Sequence, residues 1–300
     1  MTTGVFSYMD PVAATSPVKP WNKVDVLKMS FKPEEHQRFV VNMRDIPESS
    51  IGTDISGFEF FNSPASEKDF TDDAVIREKY YPEVEALLRE KLPGVKEVVI
   101  FDYTVRRREK TSPRQPVQLL HVDQTPWAAE ARVRRHIRDP AKAEKLLKGR
   151  YQIINVWRPI GYPASEFPLA VIDWRSVKPE DLVKVDLMYP KRERGPDDVD
   201  DAGKEVLADP KTLDSIEGYE PRGELYVIAP NSGHKFFYVK DMTPEEAMFI
   251  KCFDSRSQGQ PGGIEGVSGL APHTAFVDPN SPTDAKPRQS IEVRCLVFYE

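Results

Sequence analysis

Val117-Gln118-Leu119-Leu120-His121-Val122-Asp123 is the stretch from which the rest of the chain is read. The apolar run over 117–120 predicts a strand, and it delivers a histidine and, two positions on, an aspartate. Side chains at i and i+2 of a strand point the same way, so His121 and Asp123 can reach one common point. Two imidazoles and one carboxylate on one face of an octahedral ferrous ion leave three positions open, the arrangement of non-haem iron oxygenases. The pair cannot supply its own second imidazole. A distant histidine must come in through the fold, and the candidate is His273 in Pro272-His273-Thr274-Ala275-Phe276. A bare H-x-D recurs by chance and more often ends a solvated strand. Two facts add weight here: the chain has five histidines in all (His36, His121, His136, His234 and His273), and Arg288 and Arg294 follow the candidate third ligand.

The bulk properties narrow the class. The 300 residues suffice for a sizeable core. The 27 prolines favour loops and strand edges over a helical bundle. A formal charge of -6 gives no basis for binding nucleic acid or an anionic membrane. Cys252 and Cys295 lie in apolar runs and read as buried free thiols in a reducing compartment. No apolar run approaches membrane-spanning length and no signal-like segment opens the chain, so a cytoplasmic protein is expected.

The first 35 residues, rich in Pro, Lys and Ser, read as an arm over the surface, followed by one domain over 36–300. Short strands are expected at 38–43, 57–61, 97–106, 151–159, 169–174, 181–187, 249–255 and 289–299. The run at 97–106 suggests a central strand with both faces covered. Residues 223–228 and 234–239 read as a hairpin across Pro230-Asn231-Ser232-Gly233. Helical spacing marks 71–91, with capping at Thr71-Asp72-Asp73 and a stop at Pro93-Gly94, and again 127–149. Thr243-Pro244-Glu245-Glu246 reads as the start of a short helix. Residues 190–220 are acidic and read as an exposed insertion, and the Gly-rich 257–271 as a mobile loop. Many short strands with helices in the first half predict a mainly β, α+β protein built on an antiparallel double-sheet barrel.

Five segments carry a resemblance: His121-Val122-Asp123-Gln124-Thr125, Asn155-Val156-Trp157-Arg158-Pro159, Lys251-Cys252-Phe253-Asp254-Ser255, Pro272-His273-Thr274-Ala275-Phe276 and Ser290-Ile291-Glu292-Val293-Arg294. Together, and in this order, they resemble the fungal hydroxylase/desaturase family grouped with cephem methoxylase and gibberellin desaturase-like proteins, over residues 38–299. The resemblance implies a branch of the iron(II)/2-oxoglutarate dioxygenases, with a double-stranded β-helix (jelly-roll) core and a role in fungal secondary metabolism. It also implies Fe(II) and 2-oxoglutarate as cofactors, with dioxygen and a small-molecule substrate as partners. It matches His121, Asp123 and His273 to the metal triad. An arginine on the last core strand is expected to grip the far carboxylate of 2-oxoglutarate. Arg288, fifteen residues after His273, is favoured over Arg294, twenty-one after it. Asn155 is a further cosubstrate contact, and Trp127, Trp157 and Arg158 are substrate-pocket candidates. Asp254 and Ser255 are expected to support the site, and 127–149 and 257–271 to cover it. His36, His136 and His234 are assigned no metal, His234 being placed in an exposed turn. Two alternatives stay open: a cupin-like dioxygenase or isomerase that needs no 2-oxoglutarate, and a non-enzymatic binding protein with an accidental triad.

Overall fold

The computed structural model describes residues 1–24, 26, 28–108, 116–191 and 215–299. The acidic insertion expected at 190–220 therefore lies largely outside the described residues. The strands are β1 Thr2–Met9, β2 Trp21–Lys23, β3 Pro33–Asn42, β4 Phe58–Asn62, β5 Glu97–Arg107, β6 His121–Val122 and β7 Tyr151–Pro159. They continue with β8 Leu169–Ile172, β9 Leu182–Pro190, β10 Tyr219–Ile228, β11 Phe236–Tyr238, β12 Glu246–Asp254, β13 His273–Ala275 and β14 Gln289–Phe298. One sheet runs β1-β3-β11-β8-β13-β6-β10-β9-β2 and the other β4-β12-β7-β14-β5. A shared core joins them: Val122, Ala170, Ile172 and Phe236 from the first sheet pack with Ile153, Cys252, Leu296 and Phe298 from the second. This is the expected double-stranded β-helix.

Alternation along β14 builds the two layers. Leu296 and Phe298 face the interior between the sheets. Ile291, Val293, Cys295 and Val297 face outward, against Tyr80, Val84, Leu87 and Leu88. Those four belong to the helical stretch expected at 71–91, which Asp72 caps by accepting from Ala74 and Val75 backbone N–H. The stretch includes a π turn at Ile76–Tyr80 and continues as Tyr81–Lys91. Gly94, at φ +85, turns the chain away from it.

Several expectations are corrected. The N-terminal residues are not a loose arm: β1 pairs antiparallel with β3 from Thr2↔Val40 to Met9↔Pro33, and Phe6, Tyr8 and Met9 are buried. Gly4 makes this fit possible, since a Cβ there would meet the Phe276 ring at 2.5 Å. β5 is an edge strand and not a central one. Its apolar run arises because Val98 and Ile100 pack on the helix side while Val99 and Phe101 pack on the interior. β10 and β11 form no hairpin. β10 pairs with β9 and β6, while β11 pairs with β8 and, in parallel, with β3. Thr243 makes its capping contacts to Glu246 Oε2 through N and Oγ1 at 2.9 and 3.1 Å, yet no helix follows. Glu246 opens β12 instead, which has a partner strand on each side. The stretch 127–149 divides into Pro126–His136 and Pro140–Leu146, because Pro140 starts a new helix capped by Asp139.

Candidate metal centre

β6 and β13 are neighbours, and their one registered pair is His121 opposite His273. The two imidazole centroids lie 4.5 Å apart. Asp123 follows directly after β6, and one ligand atom from each of His121, Asp123 and His273 lies within 4.8 Å of the others. The strand residues are the histidine and valine themselves, not 117–120 as expected. Each histidine is oriented by its other nitrogen. His121 Nδ1 lies 2.7 Å from the Leu119 carbonyl oxygen, and His273 Nδ1 lies 3.1 Å from that of Ala271. A carbonyl can only accept, so both Nδ1 atoms carry the proton and both Nε2 lone pairs face the gap. His121 Nε2 is 3.5 Å from Asp123 Oδ1. The other carboxylate oxygen, Oδ2, is already taken by Asn155 Nδ2 at 2.8 Å and Arg294 Nε at 3.2 Å.

Electrostatics favour a cation at this point. Burial alone would raise the Asp123 carboxyl, but the Arg294 guanidinium, with His121 and His273 behind it, holds it well below the usual carboxylate range. Burial, then the neighbouring His121, lowers His273 and keeps it a neutral ligand. Arg294 also donates to Asp102 Oδ2 at 2.8 Å, Thr104 Oγ1 at 3.3 Å and Glu292 Oε1 at 3.0 Å. Three carboxylates around one guanidinium carry a formal charge of two negatives, which a divalent ion neutralises. The donor set of two imidazoles and one carboxylate suits ferrous iron.

Arg294 is therefore the clamp on Asp123, and Arg288 is the arginine left over. Arg288 is buried, donates from Nη1 to the Phe167 carbonyl at 2.7 Å, and has no partner for Nε. Its guanidinium stands 5.6 Å from the Trp157 ring on the inner face. Burial pushes its pKa down to about 9, with Arg106 adding to the effect. Asn155 differs from expectation. Its amide nitrogen serves Asp123, and its free Oδ1 is an acceptor that a carboxylate cannot satisfy.

Other candidates fall elsewhere. Arg158 faces outward under the helical layer, donating to Tyr80 OH and to the Ser63 and Pro244 carbonyls at 2.7–2.9 Å, so it does not line the pocket. Trp127 is 56% exposed and points to solvent. Asp254 accepts from Lys251, Arg150 and Gln152 in a buried cluster with Asp54, and Ser255 bonds to Tyr151 N and Gly149 O, so neither supports the triad. The loop 257–271 is bonded to that cluster's surroundings through Ser268 to Thr53 O and Asp54 O. His234 is buried and not exposed, bonded to Asp181 Oδ2 at 2.9 Å and Tyr8 OH at 3.2 Å. Asp102 and Thr104 were missed and carry no local signal, whereas Glu292, two residues before Arg294 in a quoted motif, is one of that arginine's partners.

A family model described as "YDMC: Oxidoreductase/YMDC permease-like domain" matches residues 6–298. The hydroxylase/desaturase efuI of Hormonema carpetanum is 31% identical over 280 residues, covering 88% of this chain and 84% of the relative. The chain belongs to the fungal hydroxylase/desaturase family. Another member of that family, poxK of Penicillium oxalicum, is 33% identical over 227 residues, 75% of this chain and 66% of the relative, so the chain spans about two thirds of its length. The Fe(II)/2-oxoglutarate-dependent dioxygenase nvfI of Aspergillus novofumigatus is 30% identical over 230 residues, 76% of this chain and 69% of the relative. A solved structure of NvfI, titled an iron and alpha-ketoglutarate-dependent endoperoxidase, matches with TM-score 0.77 at 24% identity, covering 99% of this chain and 98% of that one. That likeness establishes the fold. No helix among the described residues is long and apolar enough to cross a membrane.

Proposed function

We propose that this protein is an Fe(II)/2-oxoglutarate-dependent oxygenase that oxidises a C–H bond of a small-molecule secondary metabolite, by hydroxylation, desaturation or oxidative ring closure. The observation that carries the reading is the convergence of His121 Nε2, Asp123 Oδ1 and His273 Nε2, each fixed by a bond to its other polar atom. His121, Asp123 and His273 would hold the iron. Arg288 would hold the far carboxylate of 2-oxoglutarate, because it is a buried guanidinium still lacking an acid and a planar fork matches a carboxylate. When bound, iron and 2-oxoglutarate would supply the electrons that activate dioxygen, the oxidant, toward an unactivated C–H bond, 2-oxoglutarate being oxidised to succinate and carbon dioxide.

The chain's own residues supply placement. Arg294 and Asn155 keep Asp123 ionised and turned so that Oδ1 faces the two imidazoles. The Leu119 and Ala271 carbonyls keep both rings in the tautomer that presents Nε2. Trp157 walls the space beneath Arg288 and excludes water from it.

Anaerobic titration of the protein with Fe(II) and 2-oxoglutarate tests the proposal. A weak visible charge-transfer band should form with the wild type and be missing in Asp123→Ala. If iron binds and 2-oxoglutarate yields no band, the cupin-like alternative takes its place.

A further inference from the structure

The helix Pro126–His136 begins three residues after the last ligand of the H-x-D pair, and its inward stripe contains a charge. Ala128, Ala129 and Val133 are its buried residues. At 100° per residue Arg132 falls between Ala128 and Ala129, in the middle of that stripe, and His136 falls beside it. Both side chains flank Phe101: the Arg132 guanidinium is 5.3 Å from the ring centroid, and the His136 ring stacks on it at 4.9 Å and 22°. Phe101 faces the interior because a register break in the β5–β14 pairing, between Asp102 and Ile100, leaves it unpaired.

Among the described residues the Arg132 guanidinium and His136 Nε2 lack hydrogen-bond partners. Among the described residues Arg132 makes no hydrogen bond or salt bridge, and its one contact of record is the Phe101 ring. His136 Nε2 is buried without a partner. The neighbouring Arg134 shows the contrast, since it bonds Glu130 at 3.1 Å and Glu144 at 2.7 Å on the outward face. The charges facing Arg132 from other elements are Asp102 on β5, Arg294 on β14 and the Tyr189 phenol on β9, with Arg135 on its own helix. Asp102 is already engaged by Arg294. Burial lowers the Arg132 pKa, as expected for a guanidinium withdrawn from water without an acid beside it. Arg132 is half-buried and not sealed from water, whereas a buried imidazole nitrogen without a partner is costly, and a ligand that supplied the missing partner would remove that cost.

We infer that Arg132, with His136 beside it, is the specificity-determining anchor for substrate, and that the substrate carries a carboxylate or similarly acidic oxygen group next to an apolar body that packs on Phe101. The inference rests on the oxygenase reading for its chemistry but on different residues for its evidence. Arg132 lies within the electrostatic reach of Asp102 and Arg294, and Arg294 bonds Asp123, so the anchor is on the same side of the fold as the candidate metal centre. This matches the general design of small-molecule sites, in which an apolar cavity has few polar groups that fix orientation.

The test uses 1-naphthoate and its uncharged analogue 1-naphthamide as probes. Calorimetric titration is done anaerobically on the full-length protein loaded with Fe(II) and 2-oxoglutarate, so that no turnover occurs. The wild type should prefer the acid by at least about ten-fold, the size of one charge-assisted hydrogen bond. Arg132→Gln should abolish that preference and leave naphthamide binding unchanged, while Arg132→Lys should keep part of it. A preference that survives Arg132→Gln, equal binding of the two probes to the wild type, or binding of neither overturns the inference. The visible band, read in the same samples, separates this from the parent proposal. Its absence in the wild type removes the oxygenase reading and leaves the acid preference readable. Its loss in Arg132→Gln alone places Arg132 with the cosubstrate and overturns the anchor.

Discussion

Arg288, just ahead of β14, and Arg294, within it, stand six positions apart, and their surroundings are opposite. Arg294 meets three carboxylates and a threonine hydroxyl, all supplied by the protein. Arg288 meets one backbone carbonyl and an indole. The same side chain is thus part of the scaffold within the strand and an incomplete pair at its entrance. The difference teaches that the role of a buried cation is read from its unmet hydrogen bonds, since a permanent partner marks structure and a missing one marks a ligand.

The most damaging way to challenge this contrast is Arg294→Met. It leaves Asp123 and Glu292 largely buried without their cation, and urea denaturation should show a loss of about 3–5 kcal/mol, together with loss of stoichiometric iron. Arg288→Met is the matched change at the other end. It removes an unpaired guanidinium, so the unfolding midpoint should hold or rise, whereas affinity for 2-oxoglutarate should fall by about 100-fold or more. Equal destabilisation by the two variants would erase the contrast. Asn155→Ala is milder, removing one bond to Asp123 Oδ2, and equilibrium dialysis should show iron affinity lowered by about 10–100-fold with the fold retained.

A stability effect of similar size, confined to acid pH, concerns His136, the second unpartnered group. Burial, with Arg132 and Arg135 adding to it, lowers its pKa from 6.5 to about 4. The unfolded chain therefore binds the proton first. The stability contributed by keeping this ring neutral is complete above pH 6.5 and is lost as pH falls toward 4, up to about 3 kcal/mol. Denaturant midpoints measured across that window should drop for the wild type and stay flatter for His136→Phe. Parallel curves would mean that the ring is partnered.

Much of this was legible in the residues. Apolar runs, ended by proline in the case of β7, placed β7, β8, β12 and β14. H-x-D with a distant histidine gave the three side chains that the fold brings together. What could not be read is what depends on pairing between distant strands. Which sheet edge β5 occupies, and that β10 and β11 are strangers to each other, are set by partners far away in sequence. Thr2–Met9 looked dispensable because its apolar residues are interleaved with small and polar ones. Its burial comes from a sheet that β3 and Phe276 offer it. Spacing favoured Arg288 over Arg294 for the cosubstrate, but the partners that occupy Arg294 were out of reach for the same reason, since Asp102 sits across the sheet on β5. The inward turn of Arg132 was missed because Arg-rich helices are normally sorted by their outward faces.

The two histidines of the candidate centre ride on very short strands, two residues for β6 and three for β13, each held between its partner and a longer neighbour. The residues just ahead of each strand steer its ring, through the Leu119 and Ala271 carbonyls. An insertion or deletion inside either short stretch would swing an imidazole to the opposite side of the sheet, so changes of length at this edge of the centre are expected to be tolerated only upstream of those carbonyls.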